Sequence, residues 1–309
     1  MGLISRTYVR RFVCRFDKEF AVPYHSYLDF EGLKQEVFSF NNSKGIKIKY
    51  FYYYYDNYQE DKVVLFCHGM GPGHVSYLAE INALAKRGFK VLTLDYTGCG
   101  ESKGECLASL NNPARDVDEL LDLLKLKQKI IIIGHSLGGF TALKLAFLRK
   151  EITKVVVFAP IIAIRPIIYS ASKSRVITHF VLKYERKIGK EYDKIDLPNY
   201  LRSTTDDILF VQSTDDPIVP YALSLKVAEE TNNPRIQTIK FEHRKHNPNY
   251  TESAVNYMEE VFEKYYSLIK EKKILTNEDK IAYFVDVSLD KLTEQDEKLF
   301  DKIESFIGK

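Results

Sequence analysis

Short runs rich in β-branched residues alternate along the chain with amphipathic stretches. Residues 63–67 and 130–133 are unbroken apolar runs, as expected of strands covered on both faces. Residues 89–95, 155–158, 208–212 and 236–241 complete that series. Residues 46–55 alternate instead, with Ile46, Ile48 and Tyr50 set against Lys47 and Lys49, which predicts an outer antiparallel strand. Helical spacing fills the intervals: 75–87, ending at Gly88; a helix opened by Asn112 and Pro113 and carrying Val117, Leu120, Leu121 and Leu124; then 137–148, 221–231 and 251–270. Strands alternating with helices predict an α/β architecture with a mostly parallel central sheet flanked by helices.

Two regions break the rhythm. Between residues 161 and 207 the chain leaves the sheet and carries Tyr- and Ile-bearing, markedly basic sequence with helical spacing. A structureless loop of that length is unusual, so a helical lid inserted over the site is expected. Residues 276–309 predict one or two further helices, with Leu292, Phe300, Ile303 and Phe306 on an apolar face. The expected organisation is an N-terminal extension over 1–44, a core over 45–160 and 208–273, the lid over 161–207, and a C-terminal helical extension over 274–309.

Composition changes this picture little. With 45% apolar and 28% charged residues and a net charge of +3, the chain is an ordinary globular protein with no case for nucleic acid. Cys14, Cys67, Cys99 and Cys106 form no C-x-x-C pair and have no histidine at metal-ligand spacing. No metal or cofactor is expected, and a reducing, cytoplasmic location is. The first residues have no apolar h-region, so no signal peptide is expected, and no apolar run approaches bilayer-spanning length. Residues 6–20 mix Arg with Tyr, Val and Phe; a surface helix packed on its own domain is favoured there over contact with a membrane.

The chemistry concentrates at Gly134-His135-Ser136-Leu137-Gly138-Gly139, directly after an apolar run and at the start of a helix. Strand, small-x-Ser-x-small, helix is a nucleophile elbow, with Ser136 projecting from a tight turn. The Leu137 N–H at the helix start points to where an oxyanion would form, and the glycine-rich turn after residue 67 presents the Met70 N–H as a second donor. Asp95, at the head of 95–102, is expected to be structural. The acid should follow a late strand: Asp216, before Pro217, is favoured over Asp215. The base should come from the loop after the last strand, and His246 is favoured over His243. His135 is expected to face away from the reacting centre.

Together His68-Gly69, 95–102, Gly134 to Gly138, and Asp216-Pro217-Ile218-Val219-Pro220 followed by His246 resemble the α/β-hydrolase family, in its chain order Ser, Asp, His, over about residues 45–270. Within it, one helical lid after the sixth strand is similar to the monoacylglycerol lipase and serine aminopeptidase-like esterases. The resemblance implies an α/β-hydrolase fold and a serine hydrolase acting through an acyl-enzyme on Ser136, with Asp216 and His246 as partners. A small or lipid-like carboxylic ester is the leading substrate. An amidase and a non-catalytic scaffold are the alternatives. Ile161, Ile164, Ile168 and Tyr169 of the lid would line the acyl pocket.

Overall fold

A computed structural model describes residues 2–17 and 22–308; part of the predicted 6–20 segment therefore lies outside the described residues. Eight strands form one sheet in the order β1-β2-β4-β3-β5-β6-β7-β8. They are β1 (Lys34–Asn41), β2 (Lys47–Tyr54), β3 (Lys62–Cys67), β4 (Lys90–Leu94), β5 (Lys129–His135), β6 (Ile152–Phe158), β7 (Asp207–Ser213) and β8 (Ile236–Phe241). From β4 to β8 the pairing is parallel; β2 runs antiparallel to both β1 and β4. The unbroken apolar character of β3 follows from its place: Val63, Leu65 and Cys67 enter the core on one face, Val64 and Phe66 the core on the other.

The helices divide between those faces. α1 (Leu3–Arg11) is followed by α2 (Leu78–Lys86), α3 (Asn112–Leu124) and α4 (Leu137–Leu148). Next come α5 (Ile164–Ser172), α6 (Arg175–Gly189), α7 (Leu197–Ser203) and α8 (Leu225–Glu229). The C-terminal set is α9 (Glu252–Lys270), α10 (Asn277–Phe284), α11 (Leu289–Leu292) and α12 (Glu297–Ile307). α1 and α3 to α8 contribute side chains to the core on one face, and α2 and α12 to the other. Among the described residues no helix is long and apolar enough to cross a membrane.

Both expected extensions contribute to the core. β1 pairs with β2 along its length, so the sheet begins at Lys34, inside the stretch 1–44. Its mixed Lys, Gln, Glu, Val and Phe sequence suits a partly exposed edge and carries no clear period. At the other end, Leu299, Phe300, Ile303 and Ile307 of α12 pack on the sheet against Phe158 and Val211. The long α9 sends Val261 and Tyr265 into a satellite cluster with Phe284 and Leu292 instead. Arg87, after α2, locks α12 in place through Glu297 (2.6 Å) and Asp301 (2.8 Å).

The stretch between β6 and β7 is helical throughout its main segments and is pinned from below. Glu185 of α6 is fully buried and accepts from Tyr8 Oη of α1 (2.7 Å), Ser109 Oγ (2.6 Å), Leu110 N (3.1 Å) and Asn111 Nδ2 (3.2 Å). Buried Lys144 of α4 adds bonds to Asn111 and to the Tyr192 carbonyl; burial pushes its ammonium down to about 7.

Candidate active site

Cys67 of β3 lies beside Gly134 of β5, and His135 beside Phe158 of β6, so the loops after these strands converge at one end of the sheet. Ser136 occupies the single residue between β5 and α4, with φ +56° and ψ −115°. That conformation costs a non-glycine residue on the order of 1–3 kcal/mol. It is held by Ser136 N donating to the Phe158 carbonyl (2.8 Å), while its own carbonyl accepts from Phe140 N (3.1 Å) and Ile161 N (3.3 Å). The two flanking glycines are required by close approach: a Cβ at Gly134 would overlap the Gly138 carbonyl, and one at Gly138 the Cys67 carbonyl.

The two adjacent carboxylates after β7 do different work. Asp216 is buried; its Oδ1 accepts from Ile218 N (2.8 Å) and Val219 N (2.9 Å), and its Oδ2 meets His246 Nδ1 at 2.8 Å. A carboxylate only accepts, so the imidazole carries its proton on Nδ1 and leaves Nε2 free to act as a base. Asp215 instead accepts from Ser213 Oγ (2.5 Å) and Lys245 N (3.2 Å). It thereby secures the backbone of the loop that carries His246. Gln212, fully buried, ties the acid turn by donating to the Val219 carbonyl (2.5 Å) and accepting from Leu225 N (3.0 Å). His243 is exposed with φ +60° and contributes a turn.

His135 departs from expectation. Its ring lies 4.7 Å from that of His246, and its Nε2 donates to the His246 carbonyl (2.7 Å). Nδ1 must then accept, and Tyr77 Oη supplies the proton at 2.9 Å. Burial, reinforced by the neighbouring His246, pushes this imidazole down to about 3. The ring next to His246 therefore stays neutral at ordinary pH. The described hydrogen bonds join Asp216 to His246 but not His246 to Ser136; the elbow reaches the His246 backbone through His135.

The remaining loops are braced by polar groups. His68 donates Nδ1–H to the Gly69 carbonyl (2.7 Å) and stacks on Tyr96 at 3.9 Å; burial pushes its pKa down to about 4. Asp95 accepts from His74 N (2.8 Å) and Glu101 N (2.8 Å), uniting the loops after β3 and β4. None of the described backbone bonds uses the Met70 N–H, and Leu137, as the first residue of α4, has no intrahelical acceptor. Of the four residues expected to line an acyl pocket, Ile161 adjoins Ser136 and Ile164 lines a cavity of about 240 Å³ with Phe140, Lys144, Asp193 and Asp196. Ile168 lines a groove against α1 and Tyr169 a cleft between α5 and α6; Ser136 lines neither.

Sheet order, elbow and the Asp–His pair define the fold class: this is an α/β-hydrolase fold. A model of the family described as "Serine aminopeptidase, S33" matches residues 58–189. An epoxide hydrolase of Caballeronia sordidicola is 33% identical over 96 residues, covering 30% of this chain and 29% of that protein. The sn-1-specific diacylglycerol lipase ABHD11 of Mus musculus is 31% identical over 99 residues, 32% of each chain. The chain thus spans under a third of the length of these curated relatives. Among solved structures, the Pyrococcus furiosus esterase Pf2001 superposes with a TM-score of 0.59 at 19% identity over 83% of this chain and 98% of that one. Est1E of Butyrivibrio proteoclasticus, solved with ferulic acid, gives 0.55 at 19% identity over 71% and 94%. These similarities agree with the α/β-hydrolase fold and place the chain's matched segment beside hydrolases of the esterase group.

Proposed function

We propose that the protein is a serine hydrolase that cleaves a carboxylic ester of a small or lipid-like substrate through an acyl-enzyme on Ser136. The observation that carries this reading is the 2.8 Å bond from His246 Nδ1 to buried Asp216, beside a serine held in a strained elbow. Ser136 Oγ attacks the carbonyl carbon as its proton passes to His246 Nε2, and Asp216 stabilises the resulting imidazolium. The Met70 and Leu137 N–H groups hold the oxyanion. His246 then protonates the leaving alkoxide, and a water deprotonated by His246 attacks the acyl-serine, releasing the acid and restoring Ser136–OH. In a ligand-free site the serine–histidine bond is often long and tightens with substrate.

A serine nucleophile argues against an epoxide as the substrate. Opening an epoxide with a serine would leave an ether, which water does not cleave; an acyl-serine is an ester, which it does. An amide with a free ammonium group is second, because residues 161–196 of the insertion carry few carboxylates, Glu185, Glu191, Asp193 and Asp196, against eight Lys and Arg. The four free cysteines suit a reducing cytoplasm. The test is a fluorophosphonate with intact-mass readout on wild type and Ser136→Ala, followed by a chain-length series of p-nitrophenyl esters and matching anilides. One adduct on the wild type, none on the variant, and ester turnover are expected. An unlabelled wild type that turns over no ester would overturn the reading.

A further inference from the structure

The catalytic chemistry leaves unused a surface built by α1, α5 and α6. These helices turn Tyr8, Ile164 and Val181 into the core on one face of the sheet. What they leave outside is of two kinds. Leu3 (82% exposed), Phe12 and Ile177 border an apolar groove of about 360 Å³, and Val176 (61%) and Phe180 stand beside it on α6. Around them stand Arg6, Arg10, Arg11, Arg165, Lys173, Arg175 and Lys183, all exposed and none in an ion pair among the described residues. Arg165, Arg175 and His179 share a cleft of about 620 Å³ between α5 and α6, and Lys183 and Arg186 continue it.

The charge here is segregated. Neither residues 2–14 nor residues 161–184 contain an Asp or Glu, yet together they hold seven Lys and Arg in a chain whose net charge is only +3. The rest of the chain is therefore net negative, and the cations are concentrated on the helices that expose the apolar side chains. Exposed aliphatic and aromatic groups interleaved with unpaired cations, and no carboxylate to register a partner, fit a fluid array of negative headgroups over hydrocarbon. We infer that α1, α5 and α6 form a docking face for an anionic phospholipid bilayer. Leu3, Phe12, Val176 and Phe180 enter the headgroup layer while the Arg and Lys side chains meet lipid phosphates. The inference is independent of the serine chemistry.

The experiment is co-sedimentation of the full chain with vesicles of equimolar phosphatidylglycerol and phosphatidylcholine, and with vesicles of phosphatidylcholine alone. Two triple variants are compared, Arg165→Gln/Arg175→Gln/Lys183→Gln and Leu3→Ser/Val176→Ser/Phe180→Ser. Lys298→Gln/Lys302→Gln, on α12 at the other face of the sheet, is the control, and melting curves verify folding. Wild type and control are expected to sediment with the anionic vesicles only, less so as salt rises. The charge variant should bind on the order of a hundredfold more weakly, at about one Lys or Arg contribution per substitution; the apolar variant should also lose binding. Equal binding to both vesicles, no binding to either, or retention by the charge variant would overturn the proposal. Loss in the charge variant alone, with competition by soluble glycerophosphate, would also overturn it and make the cleft a site for a soluble phosphate ester.

Discussion

Replacing Asp216 by Asn tests the site most sharply, because the structure dictates how the new amide must sit. Two backbone donors, Ile218 N at 2.8 Å and Val219 N at 2.9 Å, point at Oδ1. The amide oxygen must stay there, since turning the NH₂ toward them would oppose donors to donors in a buried site. The NH₂ then faces His246 Nδ1, where the carboxylate accepted at 2.8 Å. Imidazole answers by shifting its proton to Nε2, the atom that must take the serine proton. The wrong tautomer and an unstabilised imidazolium together cost roughly 10⁴-fold in rate in a Ser–His–Asp site, about 5 kcal/mol of barrier. In Asp215→Asn, by contrast, the amide oxygen can still accept from Ser213 Oγ and Lys245 N, so that variant should stay within about tenfold of wild type, one hydrogen bond's worth. The assay is the second-order rate of fluorophosphonate labelling, or kcat/KM on a p-nitrophenyl ester, with melting curves alongside. A folded Asp216→Asn that keeps a tenth of wild-type rate, or an Asp215→Asn that falls as far, would refute the acid assignment.

Three further outcomes are expected. His135→Ala removes the donor to the His246 carbonyl and the acceptor of the Tyr77 hydroxyl and should slow labelling about 10–100-fold. His135→Gln, which restores the donor, should recover most of that rate; if Gln were as slow as Ala, the bond to His246 would not be what matters. Burial lowers the folded pKa of His68 to about 4 and of His135 to about 3, so both stay neutral folded but bind protons unfolded below their ordinary 6.5. Their contribution to stability is therefore present above pH 6.5 and lost as pH falls toward 4, by about 2–3 kcal/mol each at pH 4.5. Urea melts of His135→Gln should show a shallower acid slope than wild type, and equal slopes would contradict it. Glu185→Ala strips the shared acceptor from Tyr8, Ser109, Leu110 and Asn111 and should cost about 3 kcal/mol in chemical melts, with faster proteolysis of α1 and α6.

Much of the candidate site was legible along the chain, and the reason is local. Whether a segment becomes strand, elbow or helix depends on torsions and periods that neighbouring residues set, so β5, Ser136 and α4 could be read as one unit. Asp216 was separable from Asp215 because the Pro217 turn shapes the residues beside it. The expectation for His135 failed for a matching reason: its partners, Tyr77 and the His246 carbonyl, lie 58 and 111 residues away, and no local pattern marks such meetings.

By itself, then, the sequence determined the alternation of strands and helices, the elbow with its two glycines, and the identities of the acid and base candidates. Only the tertiary structure decided that β1 and α12 complete the sheet and its cover, that Asp215 and Gln212 brace the loops of His246 and Asp216, and that Glu185 pins α6 to α1. It also decided that unpaired cations and exposed apolar groups gather on one surface. The physical reason is that a turn or a helical face is written in residues a few positions apart. A buried hydrogen bond or a shared surface exists only once the sheet has brought distant segments within a few ångströms.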